Sequence, residues 1–215
     1  VEPDRTLREA LVGAALCNDS GLQREGRHWT IAGDPTEAAL IVAARKAHLD
    51  EATLRGLFPR LDELPFDASR QSMATLHDTE RGPVAYVKGA VERVLPACTR
   101  MLAADGREIP LAPVATGEMA VAAGMASRGL RVLAIARSAP GLPAHLDESA
   151  ISGNLVLLGM VGMIDPPRAR AVAAVRTCRT AGIGIKMITG DHAGTALAIA
   201  RQMGIADSDA RALTG

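Results

Sequence analysis

The chain has 215 residues, of which 48% are hydrophobic and 2% aromatic, and its 24 Lys and Arg residues equal its 24 Asp and Glu residues. This length suffices for one large core or two small ones, while zero net charge and scarce aromatic rings argue against a nucleic-acid-binding or membrane-surface protein. Cys17, Cys98 and Cys178 include no Cys-x-x-Cys pair, which argues against a disulfide framework or a zinc site and favours a reducing cytosol.

The first part of the chain alternates helical and extended patterns. Thr6-Leu-Arg-Glu9 is a capping-box pattern that begins a helix with one apolar face. Trp29-Thr-Ile31 is typical of a short strand. Asp34-Pro-Thr-Glu37 predicts a second helix to about His48, because the aspartate can cap it and proline suits its first position. A further short helix is expected to end near Phe58.

Short extended segments follow and predict a hairpin. Gln71 to His77 alternates in polarity, Glu80-Arg-Gly-Pro83 is a turn pattern, and Val84-Ala-Tyr-Val87 is extended again. The remaining predictions in this part are a helix at 90–98, a tight turn at 104–107, a helix at 116–127 and a strand at 131–136. Residues 1–150 are therefore expected to form one domain, an antiparallel sheet with flanking helices.

After residue 150 the pattern changes to strand, helix, strand, helix. The predicted segments are Leu155–Ile164, Ala169–Ala181, Ile183–Ile188 and His192–Met203. Such a βαβα unit builds a parallel, Rossmann-like sheet with ligands at the carboxyl ends of its strands. The sequence therefore predicts an α/β protein with a second domain at 151–215. Its longest apolar run, which ends at Ile164, is short of the roughly 20 residues that span a bilayer.

Two polar turns lie where these strands are expected to end. Thr189 could offer a hydroxyl and an amide to a phosphoryl oxygen, Gly190 would let the backbone approach closely, and Asp191 would cap the following helix. The alternative is a plain turn with a helix cap. In Asp165-Pro-Pro-Arg168 the aspartate is interpreted as a strand terminator, not a nucleophile. Arg168 could reach a phosphate or only a neighbouring carboxylate.

The two turns together resemble the phosphorylation domain of the P-type cation-transporting ATPases, which carries Asp-Pro-Pro-Arg and Thr-Gly-Asp. The resemblance extends from Cys17 to Gly204 and looks most like the type II, calcium-pump-like branch. The further matching signatures are Cys17-Asn-Asp19, Gly33-Asp-Pro-Thr-Glu37, Pro65-Phe-Asp-Ala-Ser-Arg-Gln-Ser-Met73 and Val87-Lys-Gly-Ala-Val-Glu92. It implies a nucleotide-binding domain followed by part of a haloacid-dehalogenase-type phosphorylation domain.

The resemblance also implies roles for single residues. Glu37 would meet the adenine amino group, Phe66 would stack on adenine, and Lys88 and Arg131 would address the ribose and phosphates. From the residues alone, Glu37 could equally complete a capping box. Phe66 could instead be a ring in the core, and Lys88 could be a solvated lysine at the surface. The expected nucleotide-contacting residues are Glu37, Phe66, Arg70, Lys88, Gly89, Arg131, Asp165 and Arg168, with Thr189, Gly190 and Asp191 as the phosphoryl-binding turn.

Three positions depart from the family pattern. Gln71 replaces the lysine beside the arginine, Ala68 replaces a polar contact, and Val91 replaces a proline. The first two changes remove attraction for phosphate, so the expected affinity for ATP is weak, with a dissociation constant on the order of 0.1–1 mM.

The sequence lacks the family's Asp-Lys-Thr-Gly-Thr, which contains the phosphorylated aspartate, and the Gly-Asp-Gly-x-Asn-Asp that helps to hold Mg²⁺. The resemblance therefore implies an ATP- and ADP-binding, inactive cytoplasmic fragment of a membrane pump, which couples ATP hydrolysis through an aspartyl phosphate to ion transport. Its partners would be the membrane helices and the actuator domain, with no nucleic acid and no metal ligands here. The alternatives are a soluble haloacid-dehalogenase-class phosphatase and a non-catalytic adenine-nucleotide sensor.

Overall fold

The computed structural model describes residues 4–26, 28–165, 167–190, 193–207 and 209–213. Its helices are α1 (Arg5–Leu16), α2 (Pro35–Lys46), α3 (Glu51–Leu57), α4 (Val91–Val94), α5 (Ala115–Ala126), α6 (Glu148–Ile151), α7 (Ala169–Thr180) and α8 (Ala193–Gln202). Its strands are β1 (Gly21–Glu25), β2 (His28–Ala32), β3 (Arg60–Asp67), β4 (Ser72–His77), β5 (Val84–Ala90), β6 (Cys98–Leu102), β7 (Glu108–Pro110), β8 (Arg131–Arg137) and β9 (Leu155–Met163).

Seven strands form one sheet in the order β3-β4-β5-β8-β9-β6-β7, and β1 and β2 form a separate antiparallel hairpin. The predicted α/β class and the β4–β5 hairpin are confirmed. The large sheet is mixed, however, because β9 runs parallel to β6 while the pairs β3–β4, β4–β5, β5–β8 and β6–β7 are antiparallel. Strand β9, expected to begin a second sheet, thus completes this one.

The chain divides into two compact units, Val1–Gly117 with Leu133–Val161, and Glu118–Val132 with Gly162–Gly215. These units interleave along the chain, whereas the predicted boundary is a single point after residue 150. Compact units and domains need not coincide, so the domain boundary after residue 150 stays a prediction.

In the first unit, α1 and α2 pack on each other and α1 lies against β5. A side chain at Gly13 of α1 would lie 2.8 Å from the Tyr86 ring, so this glycine permits the close approach of helix and sheet. Every residue of β4 is buried, as expected for a strand between two neighbours with both faces covered. The largest fully buried side chains are Leu16, Leu40, Ile41, Met73, Leu76, Ile135, Leu146, Leu155 and Leu157, with His77, Asn18 and Thr75.

In the second unit, the predicted strand at Ile183–Ile188 is wrong. This segment is irregular, and Ile183 and Ile188 are 56% and 96% exposed. A strand is stabilised by its neighbours, and no strand among the described residues pairs with this segment, so its apolar pattern alone does not make it extended. The Rossmann-like βαβα unit is therefore not formed as expected. In the described part of the chain, no helix is long and apolar enough to span a bilayer.

Candidate functional site

The structure brings together two of the predicted site residues in a buried ion pair. Lys88 Nζ lies 2.7 Å from Glu37 Oε1, and their side chains are 6% and 17% exposed. Lys88 belongs to β5, where it is opposite Met73 of β4 and Ile135 of β8. A lysine at such a position is rarely buried unless its charge is paired, so the pair with Glu37 explains its burial. The solvated-surface interpretation of Lys88 is wrong.

Glu37 is positioned by the start of α2. Asp34 caps this helix as predicted, because its Oδ1 accepts from the Thr36 and Glu37 amides at 2.8 and 3.2 Å. The second carboxylate oxygen of Glu37 accepts from the Asp19 amide at 3.0 Å and from the Ser20 hydroxyl at 3.3 Å. The Glu37 carboxylate thus joins the neighbouring turn to Lys88, and its role toward adenine stays a prediction.

The turn that supports Glu37 is held by arginines that sequence reasoning missed. The Asn18 carbonyl accepts from Arg55 at 3.1 Å and from Arg60 at 2.8 Å, and Arg60 also pairs with Asp19 at 2.7 Å. The Asn18 side chain donates to the Glu37 carbonyl at 2.9 Å. The chain separations of 37 and 42 residues between these arginines and Asn18 give no local pattern, so only the fold reveals this support.

Cys17, at the start of the same signature, is inside the core beneath the turn. Burial is the largest effect on its thiol and raises its pKa to about 11, although the positive charge of Lys88 acts in the opposite direction. The thiol lies 3.6 Å from the Met73 carbonyl. A thiol with a raised pKa is a poor nucleophile, so Cys17 contributes packing to this region.

Phe66 is an exposed ring near the end of β3. It is 65% exposed, so the core interpretation is wrong. The next residue, Asp67, is opposite Ser72 at the start of β4, and Ser72 is opposite Gly89 of β5. Phe66 and Lys88 therefore lie near the same end of the two strands that flank β4. Because neighbouring strands are about 4.8 Å apart, these two strands are separated by about 10 Å. An exposed ring at that distance is available to a planar ligand.

Arg70 contacts groups other than the Lys88–Glu37 ion pair. Its Nη1 lies 2.7 Å from Glu148 of α6, and its Nη2 donates to the Pro65 carbonyl at 2.6 Å. Hydrogen bonds from Ser69 and Arg70 stabilise the charged carboxylate and lower the pKa of Asp67, which shapes the turn before β4. Arg70 thus ties this turn to α6, and its nucleotide role stays a prediction.

The remaining predicted residues of this group lie at element ends. Arg131 is exposed at the first position of β8, and it makes an interaction within the protein. Asp165 is exposed just after β9, which agrees with its interpretation as a strand terminator. Arg168 is the exposed N-cap residue of α7. Their nucleotide roles stay predictions.

The proposed phosphoryl-binding turn belongs to the second unit. Thr189 and Gly190 are exposed and precede α8, and Thr189 makes an interaction within the protein. Because the segment before them is irregular, they do not follow a strand as expected. Asp191 lies outside the described residues.

Comparison with known proteins agrees with these signatures. A family model described as P-type ATPase, cytoplasmic domain N, matches residues 6–170. The chain is 48% identical over 202 residues to the cation-transporting ATPase pma1 of Synechocystis sp., which covers 93% of the chain and 22% of that relative. The probable cation-transporting ATPase F of Mycobacterium tuberculosis is 45% identical over 212 residues, or 97% of the chain and 23% of that relative.

A third relative, calcium-transporting ATPase 1 of Bacillus cereus, is 36% identical over 211 residues, or 98% of the chain and 23% of that relative. The chain thus spans less than a quarter of the length of these curated relatives. The family match over most of its length and the identity to these relatives show that the chain belongs to the P-type ATPases, with residues 6–170 matching their cytoplasmic domain N.

Proposed function

We propose that this chain binds ATP and ADP as the nucleotide-binding part of a P-type cation-transporting ATPase. The observation that carries the proposal is the buried ion pair between Lys88 and Glu37. These residues come from separate signatures of the resemblance, yet they contact each other at one end of the large sheet. A structural ion pair alone would not require the exposed aromatic ring of Phe66 nearby.

The chemistry of these side chains fits a nucleotide. The face of Phe66 can stack on a purine, an interaction worth about 1–3 kcal/mol per base elsewhere. The carboxylate of Glu37 can accept a hydrogen bond from the exocyclic amine, and the ammonium of Lys88 can donate to the ribose or the phosphates. Because the carboxylate partly neutralises Lys88, and because Gln71 and Ala68 supply no positive charge, weak affinity of about 0.1–1 mM is expected.

The proposal for catalysis is more limited. In such a pump, bound Mg²⁺ would neutralise charge on the phosphates during transfer to an aspartate. This sequence contains neither Asp-Lys-Thr-Gly-Thr nor Gly-Asp-Gly-x-Asn-Asp, so we expect the chain alone to bind nucleotide without forming an aspartyl phosphate. Ion transport, its coupling to ATP hydrolysis and contacts with membrane helices would belong to the longer protein. The transported ion is likewise a matter of residues beyond this site.

The test is a titration of the wild-type chain and of Phe66→Ala with ATP, in which the amide chemical shifts are measured at each ATP concentration. Phe66 is 65% exposed, so the substitution should leave the free energy of unfolding nearly unchanged. Because the stacking contact is lost, the affinity for ATP should fall at least about fivefold. Leu57→Ala is the matched control, since Leu57 is also 65% exposed and carries no proposed role.

Equal ATP affinity in the wild type and Phe66→Ala would remove Phe66 from the site. A second variant, Lys88→Met, keeps most of the side-chain length and should also weaken ATP. If neither variant changes the affinity, the nucleotide is bound elsewhere or not at all, and the proposal is rejected. Release of phosphate from p-nitrophenyl phosphate by the purified chain would favour the phosphatase alternative instead.

A further inference from the structure

A cavity of about 370 Å³ lies in the first unit, on the opposite face of the sheet from Lys88. Val87 lines this cavity, whereas its neighbour Lys88 faces Glu37. Successive side chains of a strand point to opposite faces, so the cavity and the proposed nucleotide site are separated by the strand β5. A volume of this size suits a small organic molecule.

The cavity has an apolar floor and a cationic rim. Val87, Val94, Ile151 and Leu155 line it, and each of these side chains is at most 7% exposed. Two arginines, Arg70 and Arg93, line it as well, against a single carboxylate, Glu148. The lining therefore combines buried hydrocarbon with an excess of positive charge, a composition that matches a small anion with an apolar tail.

Arg70, which lines this cavity, has one hydrogen-bond donor that is not used within the described part of the chain. Its Nη1 and Nη2 are bonded to Glu148 and to the Pro65 carbonyl, but its Nε is buried without a hydrogen-bond partner among the residues that the structure describes. A buried donor of this kind is normally satisfied by protein, water or ligand. The side chain of Glu148 is 74% exposed, so its carboxylate can move aside for another acceptor at low cost.

Arg93 supplies the second cation of the rim. It is exposed on α4, and its Nε donates to the Gln71 side chain at 3.2 Å. Its other guanidinium N–H groups are donors to which a carboxylate can bind. Ser72, which lines the same cavity and is 5% exposed, adds a hydroxyl that can donate or accept.

We propose that this cavity binds a small amphipathic carboxylate, with its tail on the floor of Val87, Val94, Ile151 and Leu155 and its charged group between Arg70 and Arg93. The carboxylate would take the place that Glu148 now holds on Arg70 or share it. This inference does not depend on nucleotide binding, since it involves the other face of the sheet, and it assigns Arg70 to the cavity in place of its predicted contact with the nucleotide.

The experiment is a titration of the isotope-labelled chain with sodium hexanoate, followed by amide chemical shifts. Saturable shifts are expected at Ser72, Val87 and Ile151, with a dissociation constant in the millimolar range, on the order of 1 mM. Hexylammonium, acetate and inorganic phosphate are the comparison probes, because each lacks either the negative charge or the tail. Hexanoate should bind at least about fivefold more tightly than any of them.

Variants separate the proposed contacts from general effects. Arg93→Gln should lower the affinity for hexanoate about tenfold, since it removes one of two cations at the rim. Arg81→Gln changes the net charge equally but lies in the turn between β4 and β5, outside the cavity lining, and should change nothing. Glu148→Gln should tighten hexanoate roughly threefold, because it removes the competing carboxylate, and a gain of affinity cannot result from unfolding.

Three results would overturn the proposal. They are equal shifts with hexylammonium, affinity unchanged in both Arg93→Gln and Glu148→Gln, and the absence of saturable shifts with 20 mM hexanoate, a concentration roughly twenty times the expected dissociation constant. Tight binding of inorganic phosphate alone would identify a general anion site and would likewise reject the amphipathic ligand.

Discussion

Gly89 beside Lys88 allows the backbone of β5 to lie close to the turn before β4. A Cβ atom at this position would lie 2.5 Å from the Gln71 carbonyl oxygen and 2.6 Å from the Ser72 Cβ atom. Backbone atoms cannot rotate away as a flexible side chain can, so the strand itself would have to shift. The family signature Lys-Gly-Ala thus has a steric reason in this chain, independent of any ligand.

We expect Gly89→Ala to lower the free energy of unfolding by about 2–3 kcal/mol, because of this overlap with backbone. Gly56→Ala is the matched control. Gly56 is in α3, and a Cβ atom there would meet nothing within 4 Å. That substitution should raise the free energy of unfolding by about 0.5–1 kcal/mol, as expected for alanine in a helix. Urea denaturation of both variants measures the difference, and equal effects would refute the steric explanation.

His77 is a buried histidine whose surroundings favour the neutral form of its ring. It is 1% exposed, and its Nδ1 lies 2.9 Å from the Phe58 carbonyl, so this nitrogen donates. The Thr75 hydroxyl is 2.9 Å from Nε2, which accepts from it when neutral. Burial, the largest effect, lowers the pKa of His77 below its ordinary value of 6.5, even though the bond to Phe58 acts in the other direction.

This lowered pKa predicts that stability falls in mild acid. Below pH 6.5 the unfolded chain binds a proton at His77 that the folded chain does not. The contribution of His77 to stability is therefore fully present above pH 6.5, and it decreases as the pH falls toward the lower pKa of the folded state. We expect the free energy of unfolding to drop between pH 7.5 and 5.5, by at most about 1.4 kcal/mol per pH unit from this group. His77→Gln should flatten the dependence, while the exposed His28→Gln should not. An unchanged slope in His77→Gln would contradict the prediction.

At the scale of elements, the turn between α1 and β1 is fixed by arginines from other elements. Arg60 of β3 donates to the carbonyls of Leu16 and Asn18 at 3.2 and 2.8 Å and pairs with Asp19. The Asp19 amide in turn donates to Glu37. Strand β3 therefore positions the start of α2 through this turn, although α2 precedes β3 in the chain.

We expect Arg60→Ala to lower the free energy of unfolding by about 1–3 kcal/mol, because it leaves the Leu16 carbonyl without its charged donor and the Asn18 carbonyl with Arg55 as its remaining one. The Asp19 amide should exchange with solvent faster, since its turn is no longer held. Arg60→Lys should restore little, because an ammonium on a flexible chain cannot replace the planar guanidinium. Arg81→Ala is the surface control. Unchanged exchange at Asp19 in Arg60→Ala would show that the turn is held by other contacts.

Prediction from sequence was reliable for elements with strong local signals. Helix α2 was predicted correctly from the aspartate cap and the proline at its start. The β4–β5 hairpin was predicted correctly from the residues of its turn. The segment at Ile183–Ile188 has an equally apolar pattern, but it lacks a paired neighbour and is irregular. Strands depend on partners that are distant in the chain, whereas a helix satisfies its hydrogen bonds locally.

At the scale of the whole molecule, nucleotide binding should be visible as stability. A ligand that binds only the folded chain stabilises it according to its concentration and dissociation constant. With 5 mM ATP and the proposed affinity of about 0.1–1 mM, we expect the free energy of unfolding to rise by about 1–2 kcal/mol. Tripolyphosphate at the same concentration lacks a purine and should stabilise less. The same gain in Phe66→Ala as in the wild type would contradict stacking on that ring.

The sequence by itself determined the family, the order of its signatures and most helices, because caps, turns and short motifs are local patterns. It also indicated Glu37 and Lys88 as site residues. Only the tertiary structure decided that these two form a buried pair, that Phe66 is exposed, and that Arg55 and Arg60 support the turn beside Glu37. The placement of β9 between β8 and β6 was likewise a tertiary result. Burial and strand pairing depend on contacts between residues far apart in the chain, and these have no signature in a local sequence pattern.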